Sequence, residues 1–487
     1  MLASVLVAAL LADSCASHQA GPPDPAGSPV PTPGPQADAE PPQAGPGTAI
    51  QISAAPKASR AQGDRAAIEE AIVLGSPASL QRARSLLSSS SNLKPEESSA
   101  LGLAINAFDA LIYGSADAAT LLAVGVPPGM GGVSALIAKT AVDAFAGRVD
   151  DAPPDYGASG LAELLPALAM FASPSRDTAR QAQDALERFS GLGYASVIPD
   201  LALGLDAERR LDWKAALARY TEALDLAEDA WPARLGVARS ELALGQAVEA
   251  LAILGPLADR LSGSSAFIRT YAEALYENAR FAQADQYVAR VLVDDPQNSR
   301  FILIRAHILV RSGSYQQAVP LLDAYATVDS SNRLFLLLRS QVAEGMRDRD
   351  DALRWARRGL AAYADDPELL VTAARLRFSG PSAGRQEARS LAARAYELTP
   401  PAQGSEGFAP VQLEARNAAA FDAARLLAAD AAARFEWLPA AQYLERATSY
   451  GSFEDRALAS TILRRSGRAA AALEYADSWY RDRPESE

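Results

Sequence analysis

Alanine returns at a fixed interval in the middle of this chain: Ala216, Ala250, Ala284, Ala318 and Ala352 each stand 34 residues after the last. That interval is the length of a helix-turn-helix unit that cannot bury its apolar face alone and stacks on further units to do so. With each alanine set as position 20, the units begin at 197, 231, 265, 299 and 333. Position 8 then falls on Gly204, Ala238, Ala272, Ala306 and Ser340, so two columns are small in all five units. The two antiparallel helices of a hairpin cross where these columns meet, and a large side chain there would wedge them apart. Turn residues such as Gly245 and Gly313 occupy position 15, and the aromatics Trp213, Phe281 and Tyr315 follow at position 17. Position 24 carries Tyr220, Leu254, Val288 and Leu322, and Pro296 stops the third unit at position 32.

A sixth unit follows with two residues inserted: Ala388, Ala392, Ala395, Leu398 and Pro400 take positions 20, 24, 27, 30 and 32. Looser units are expected beyond a loop at 401 to 412, one marked by Trp437, Ala440, Leu444 and Ala447, another by Gly467, Ala472, Ala476, Trp479 and Pro484. Ala182 lies 34 residues before Ala216, with Leu186 and Phe189 after it at core spacing, so the repeat has a candidate antecedent.

In period, small columns and turn aromatics this region resembles the tetratricopeptide repeat. The resemblance implies an all-α fold, a right-handed superhelical solenoid of antiparallel helix hairpins. One departure is the absence of Trp at position 4, where Asp200, Arg234, Ile268, Ile302 and Leu336 stand. In that family the first helix of each unit lines a concave groove through positions 2, 5, 9, 12 and 13. Carried over, those positions are Arg239, Leu242, Arg269, Glu273, Tyr276, Glu277, Arg300, Leu303, His307, Arg311, Gln341 and Glu344. Arg239, Arg269, Arg300 and Arg311 then form a locally basic strip suited to an acidic peptide segment or a C-terminal carboxylate, because guanidinium presents a planar fork to carboxylates. The competing reading pairs these arginines with neighbours on their own solvated face. The lysine and asparagine clamp of the chaperone-binding members is absent from these positions. Arg305 and Arg339 fall at position 7, ordinarily apolar; either their stems lie along the interface with the heads in water, or the helix boundaries shift by a residue.

Residues 61–192 read as an N-terminal helical domain without a clear repeat. Gly75 ends one helix, Ser76 caps the next with Pro77 at its first position, and Pro95 opens another with Glu96 and Glu97 in its first turn. Further helices are expected at 116–124, 133–147, 160–172 and 175–189, the last capped by Ser173 with Pro174 following. The Gly-rich run from Gly125 to Thr140 is not a phosphate loop: Ala138, not glycine, precedes Lys139, and a helix rather than a strand precedes the glycines.

At the N-terminus, Leu2 to Ala12 is an apolar run too short for a membrane span of about 20 residues and of signal-peptide length. The stretch Leu11-Ala12-Asp13-Ser14-Cys15 resembles a bacterial lipobox, which makes Cys15 a candidate lipidation site; Asp13 and the lack of Lys or Arg before the apolar run depart from the pattern. The alternative is a cleaved secretory signal with Cys15 merely nearby. Residues 16–60 form a Pro/Gly-rich linker that cannot bury enough apolar surface to offset its ordering entropy. Roughly 40 such residues, at up to ~3.1 Å each, would hold a folded body as far as ~120 Å from an anchor. The domain reading is therefore signal 1–15, linker 16–60, helical domain 61–192, repeats 193–402 and C-terminal helices 403–487.

The chain has 487 residues, a net charge of -13 and a pI near 4.9, the opposite of the basic surface that phosphate backbones require. Cys15 is the sole cysteine, and His18 and His307 are the only histidines, which removes intrachain disulfides, Cys/His zinc clusters and a Ser/His/Asp arrangement. No cofactor, metal or nucleic acid is expected. The sequence thus points to a non-enzymatic scaffold of the bacterial cell envelope, lipid-anchored and periplasmic or outer-membrane associated, which binds a protein or peptide, acidic segments included, through its groove. The alternatives are an accessory subunit of an envelope solute transporter or assembly machine, and a hydrolase with its site in 61–192.

Overall fold

The computed structural model describes residues 60–148, 160–168, 176–400, 408–453 and 455–482. Cys15, the apolar run before it and most of the linker lie outside them, as do Ser173, Pro174 and Pro484. Among the described residues every regular element is a helix. The chain divides into two compact units, Met1–Ala233 and Arg234–Glu487.

Unit 1 opens with α1 (Arg60–Leu74), α2 (Pro77–Ser89), α3 (Pro95–Tyr113), α4 (Ala116–Ala123), α5 (Gly132–Phe145), α6 (Gly160–Ala167) and α7 (Arg176–Ser190). The stop and start signals act as their chemistry dictates. Gly75 turns with φ +72°, and the Ser76 hydroxyl accepts from the Ser79 amide to cap α2. Glu97 closes a box at the start of α3 by accepting from the Lys94 amide at 3.0 Å. The glycines after α4 lead into α5 with no strand before them, so the phosphate-loop geometry is absent.

The hairpin α8 (Ile198–Arg209) and α9 (Trp213–Leu226) completes unit 1 and is tied to its first helices. The Val197 amide donates to the Leu74 carbonyl at 3.0 Å, and the Ala78 amide donates to Asp229 at 2.6 Å. Those bonds explain why compactness groups this first hairpin with the preceding helices, although its register is that of the repeats. Gly204 shows what the small columns do: a Cβ built there would stand 2.7 to 2.9 Å from the Tyr220 ring.

Unit 2 continues with α10 (Trp231–Ala243), α11 (Ala247–Leu254), α12 (Ser265–Glu277), α13 (Phe281–Asp294), α14 (Ser299–Arg311), α15 (Tyr315–Ala326), α16 (Arg333–Gly345) and α17 (Arg349–Ala362). First helices begin at 231, 265, 299 and 333, and second helices at 247, 281, 315 and 349, so both keep the 34-residue ruler. Ala250, Ala284, Ala318 and Ala352 are fully buried, as are Ala238, Ala272, Ala306 and Ser340 opposite them. Ser340 spends its hydroxyl on the Ala352 carbonyl at 2.9 Å, which satisfies a polar atom inside the contact.

Two further columns keep the same interval. The residue at position 15 is left-handed in every hairpin turn of the five units: Leu211 (φ +60°), Gly245 (+84°), Ala279 (+56°), Gly313 (+76°) and Arg347 (+65°). Only two of these are glycine, so the tight three-residue turn is imposed by hairpin packing against the local cost of a Cβ in that region. Ahead of the first helices, Ser264, Asn298, Asn332 and Asp366 cap with their side chains, accepting from Phe267, Phe301, Phe335 and Leu369 respectively. The four receiving residues are themselves buried, so each helix start is pinned twice, by a cap and by a core side chain.

The sixth unit is α18 (Pro367–Phe378) and α19 (Arg385–Leu398), its two-residue insertion taken up by a single 3₁₀ turn at Ser382–Gly384. The next helix departs from the expected loop at 401 to 412: α20 spans Pro410–Ala433, 24 residues where the first helices of the units before it have 12 or 13. Pro410 suits its first position and the run that follows is rich in Ala, Leu, Glu and Arg, all strong helix formers. Then come α21 (Trp437–Thr448), α22 (Arg456–Arg465) and α23 (Ala469–Asp482), with left-handed turns at Phe435 and Gly467. Ala440, Leu444, Ala447 and Ala472 are buried in one core around Phe453, which bears out hairpin packing at this end.

Candidate ligand groove

The face offered by α12, α14, α16 and α18 carries most of the predicted groove positions, and the structure draws carboxylates to nearly every arginine on it. Arg300 pairs with Glu273 and lies 3.9 Å from Glu277. Arg269 reaches Asp295 at 3.6 Å. Arg311 pairs with Glu414 on α20, 103 positions away in sequence. Arg239 is half-buried on α10 and is also engaged. Of the two readings of these arginines the pairings favour the second: they form a charge-compensated set, with Arg269, Arg300 and Arg311 each beside a carboxylate. For Arg269 and Arg300 the reason is register, since the 34-residue ruler that aligns arginines also aligns acids beside them; Arg311 finds its carboxylate on a helix distant in sequence.

The same logic extends to residues the sequence reading did not single out. Arg333 pairs with Asp366 and Glu368 of the next unit, and the two carboxylates hold it more firmly protonated than usual although its burial opposes the charge. Arg375 is held by Glu344 at 2.6 Å and by Asp422 of α20 at 3.2 Å. Guanidinium–carboxylate pairs thus stitch α12 to α14 and α16 to α18 along the face a ligand would meet. At position 7, Arg305 lies 3.6 Å from Asp285, and Arg339 pairs with Asp323 while lying over Phe335 and Trp355 at 5.4 and 5.6 Å. Helix boundaries do not shift there and the stems follow the interface, but the Arg339 head is largely covered, set between Asp323 and the two rings rather than in water.

His307 sits at the centre of this face. Its Nδ1 and the Tyr276 hydroxyl share a hydrogen bond of 2.7 Å, and its ring packs edge-on to both Tyr276 and Phe281. Burial, with Arg311 and Arg333 nearby, pushes the imidazole down to about 4, so it is neutral at physiological pH. Burial raises the Tyr276 phenol, which leaves that hydroxyl protonated as the donor. Glu277 rises as well: burial, reinforced by Glu273 and opposed by Arg300, lifts its carboxyl to about 7. Arg311 covers the Phe281 ring at 4.8 Å, so the position-17 aromatic of one unit supports the position-13 cation of the next.

Two of the predicted groove residues do not face outward. Tyr276 and Leu303 are buried, the first beneath His307 and Phe281 and the second in the core of its own hairpin. Glu273, Glu277, His307, Gln341 and Glu344 remain half-buried, while Arg300 and Arg311 are exposed. The sequence reading also missed α20, whose Glu414 and Asp422 enter this face. No local pattern at 410–422 announces it, because its partners are distant in sequence.

No family model and no curated protein matches the chain. Among solved structures, a tetratricopeptide repeat protein from Parabacteroides merdae aligns over 55% of this chain and 98% of its own, at 14% identity and a TM-score of 0.38. The Cut9–Hcn1 hetero-tetramer of the APC/C aligns over 87% and 85%, at 16% identity and a TM-score of 0.40. YrrB, described as a TPR protein with an unusual peptide-binding site, aligns over 39% and 97%, at 16% identity and a TM-score of 0.33. On its own 34-residue hairpin geometry, the repeat region of this chain is a tetratricopeptide-type solenoid.

Proposed function

We propose that this protein is a non-enzymatic interaction scaffold of the bacterial cell envelope, tethered by a lipid on Cys15 and binding a protein segment on the α12–α14–α16–α18 face. One observation carries the reading: a broad face of stacked helices presents half-buried carboxylates, exposed guanidinium groups and the neutral His307, held rigid from beneath by the alanine columns. Such a surface offers side-chain complementarity to a peptide or helix and assembles no nucleophile and base.

A photo-crosslinking amino acid placed at Gln341, on the groove, and separately at Arg354, on the exposed side of α17, tests the site in envelope extracts. A partner captured from Gln341 and not from Arg354 supports the groove; equal capture from both, or capture only from Arg354, removes it. Mass spectrometry of the mature N-terminus tests the tether. A diacylglyceryl-modified Cys15 is expected, and an unmodified different N-terminus would end the lipoprotein reading.

A further inference from the structure

The face proposed to bind ligand already has a helix on it. In the unit closed by the Phe435 turn, the first helix needs only residues 421–433 to match the 13 residues of α12, α14 and α16. Residues 410–420 are an N-terminal extension of α20, about 16 Å long at 1.5 Å per residue. This extension is not required to build the α20–α21 hairpin. Instead α20 runs back to pack against α12, Glu414 reaches Arg311 on α14, and Asp422 reaches Arg375 on α18. The helix α20 as a whole therefore touches first helices belonging to units three, four and six, and within the extension Glu414 makes the contact with unit four, on the face proposed to bind ligand.

Its seating is light. Val411, Ala419 and Ala420 are buried, but Gln412 and Ala418 are exposed and Leu413 to Asn417 are only half-covered. The ion pair made by the extension, Glu414 with Arg311, is about two-fifths exposed on each side, the class of contact that stabilises least. A segment held this way can fray from Pro410 as far as Ala418, while Ala419 stays in the core with Leu370, Val371 and Ala395.

We propose that residues 410–420 are an internal ligand of the groove, and that the external partner is a helix of the same chemistry: small side chains on one face and a carboxylate set to meet Arg311. This rests on the scaffold reading for the existence of an external partner, but the internal occupancy stands apart from it. A helix in a groove reads small and apolar anchors at helical spacing, and Val411, Ala415 and Ala419, each four residues after the last, supply them here, the first and last of them buried.

The experiment uses the full chain and a fluorescent synthetic peptide of residues 408–421, followed by anisotropy, with hydrogen exchange of 410–420 measured in parallel. Glu414→Arg places two cations together and should release the extension, speeding its exchange and tightening peptide binding by about tenfold over wild type. Arg311→Glu combined with Glu414→Arg should restore wild-type exchange and should bind the Glu414→Arg peptide about as weakly as wild type binds the unaltered peptide, which separates release from misfolding. A peptide carrying Glu414→Arg should bind the Arg311→Glu chain and not the Glu414→Arg chain. Unchanged exchange in Glu414→Arg, or no peptide binding to any variant, overturns the inference. If the peptide binds as described while no envelope protein crosslinks at Gln341, the internal ligand stands and the scaffold reading falls. If crosslinking succeeds equally in wild type and Glu414→Arg and the peptide never binds, the reverse holds.

Discussion

Replacing Glu277 by glutamine and, separately, His307 by asparagine should tilt the stability of unit 2 against pH in opposite directions. The Glu277 carboxyl rises from 4.5 to about 7, so the folded state binds its proton where the unfolded chain has lost it. Its favourable contribution is complete below the unfolded value and disappears as pH rises through about 7. The imidazole of His307 falls from 6.5 to about 4, so its contribution is complete above the unfolded value and disappears as pH falls through about 4. Each displacement spans about 2.5 pH units and is therefore worth about 3 kcal/mol when fully expressed. In the wild type the two slopes nearly cancel between them, because each group gains what the other loses. Removing one exposes the other. Glu277→Gln should melt roughly 6 to 12 °C higher relative to wild type at about pH 7.5 than at about pH 4.5, taking 2 to 4 °C per kcal/mol for a unit of this size. For His307→Asn the relative gain should appear at the acid end instead, on top of a constant offset from the altered bond to Tyr276. Melting followed by circular dichroism across that range gives the comparison. An offset for Glu277→Gln that is the same at every pH would refute the argument that burial beside Glu273 controls this carboxyl.

Arg347 is exposed and left-handed, so Arg347→Gly should stabilise unit 2 by up to about 1 kcal/mol in urea unfolding, the relief of a Cβ in that region less the added chain entropy of glycine. Asn332→Ala removes the side-chain acceptor 3.1 Å from the Phe335 amide and should cost about 1 kcal/mol in the same assay, with Asn332→Asp retaining most of it. Ala284→Leu inserts three carbons where the hairpin helices touch, and should cost about 1 to 3 kcal/mol and raise hydrogen exchange in α12 and α13 together.

The alanine columns and hairpin boundaries were legible because they are consequences of local geometry repeated. Ala250 and Ala284 must be small wherever two helices cross at that distance, and the crossing recurs every 34 residues. Two columns of the same kind went unread although the sequence displays them: Ser264, Asn298, Asn332 and Asp366 ahead of the helices, and Phe267, Phe301, Phe335 and Leu369 three residues later. They vary in residue type while keeping one chemistry, so a search for a single recurring amino acid passes over them, whereas a search for any cap followed by a buried apolar residue finds them. The groove was legible in position, while its charge stayed open between a basic strip and paired arginines. Helical phase places Arg300 and Arg311 on the inner face, but phase alone does not say whether a carboxylate comes within reach. Glu273 could have been inferred for Arg300, being nine positions into the preceding unit against two positions into its own. Glu414 could not, because its approach to Arg311 depends on how far the stack curves over the 103 intervening positions and on a helix that overruns its own repeat. That division has a physical origin: interactions between neighbouring units are fixed by the ruler, while those that close the curve depend on the sum of many small inter-unit rotations. The residues that govern access to the face, Glu414 and Arg311, belong to the second kind, and their function is accessible only once the curvature is known.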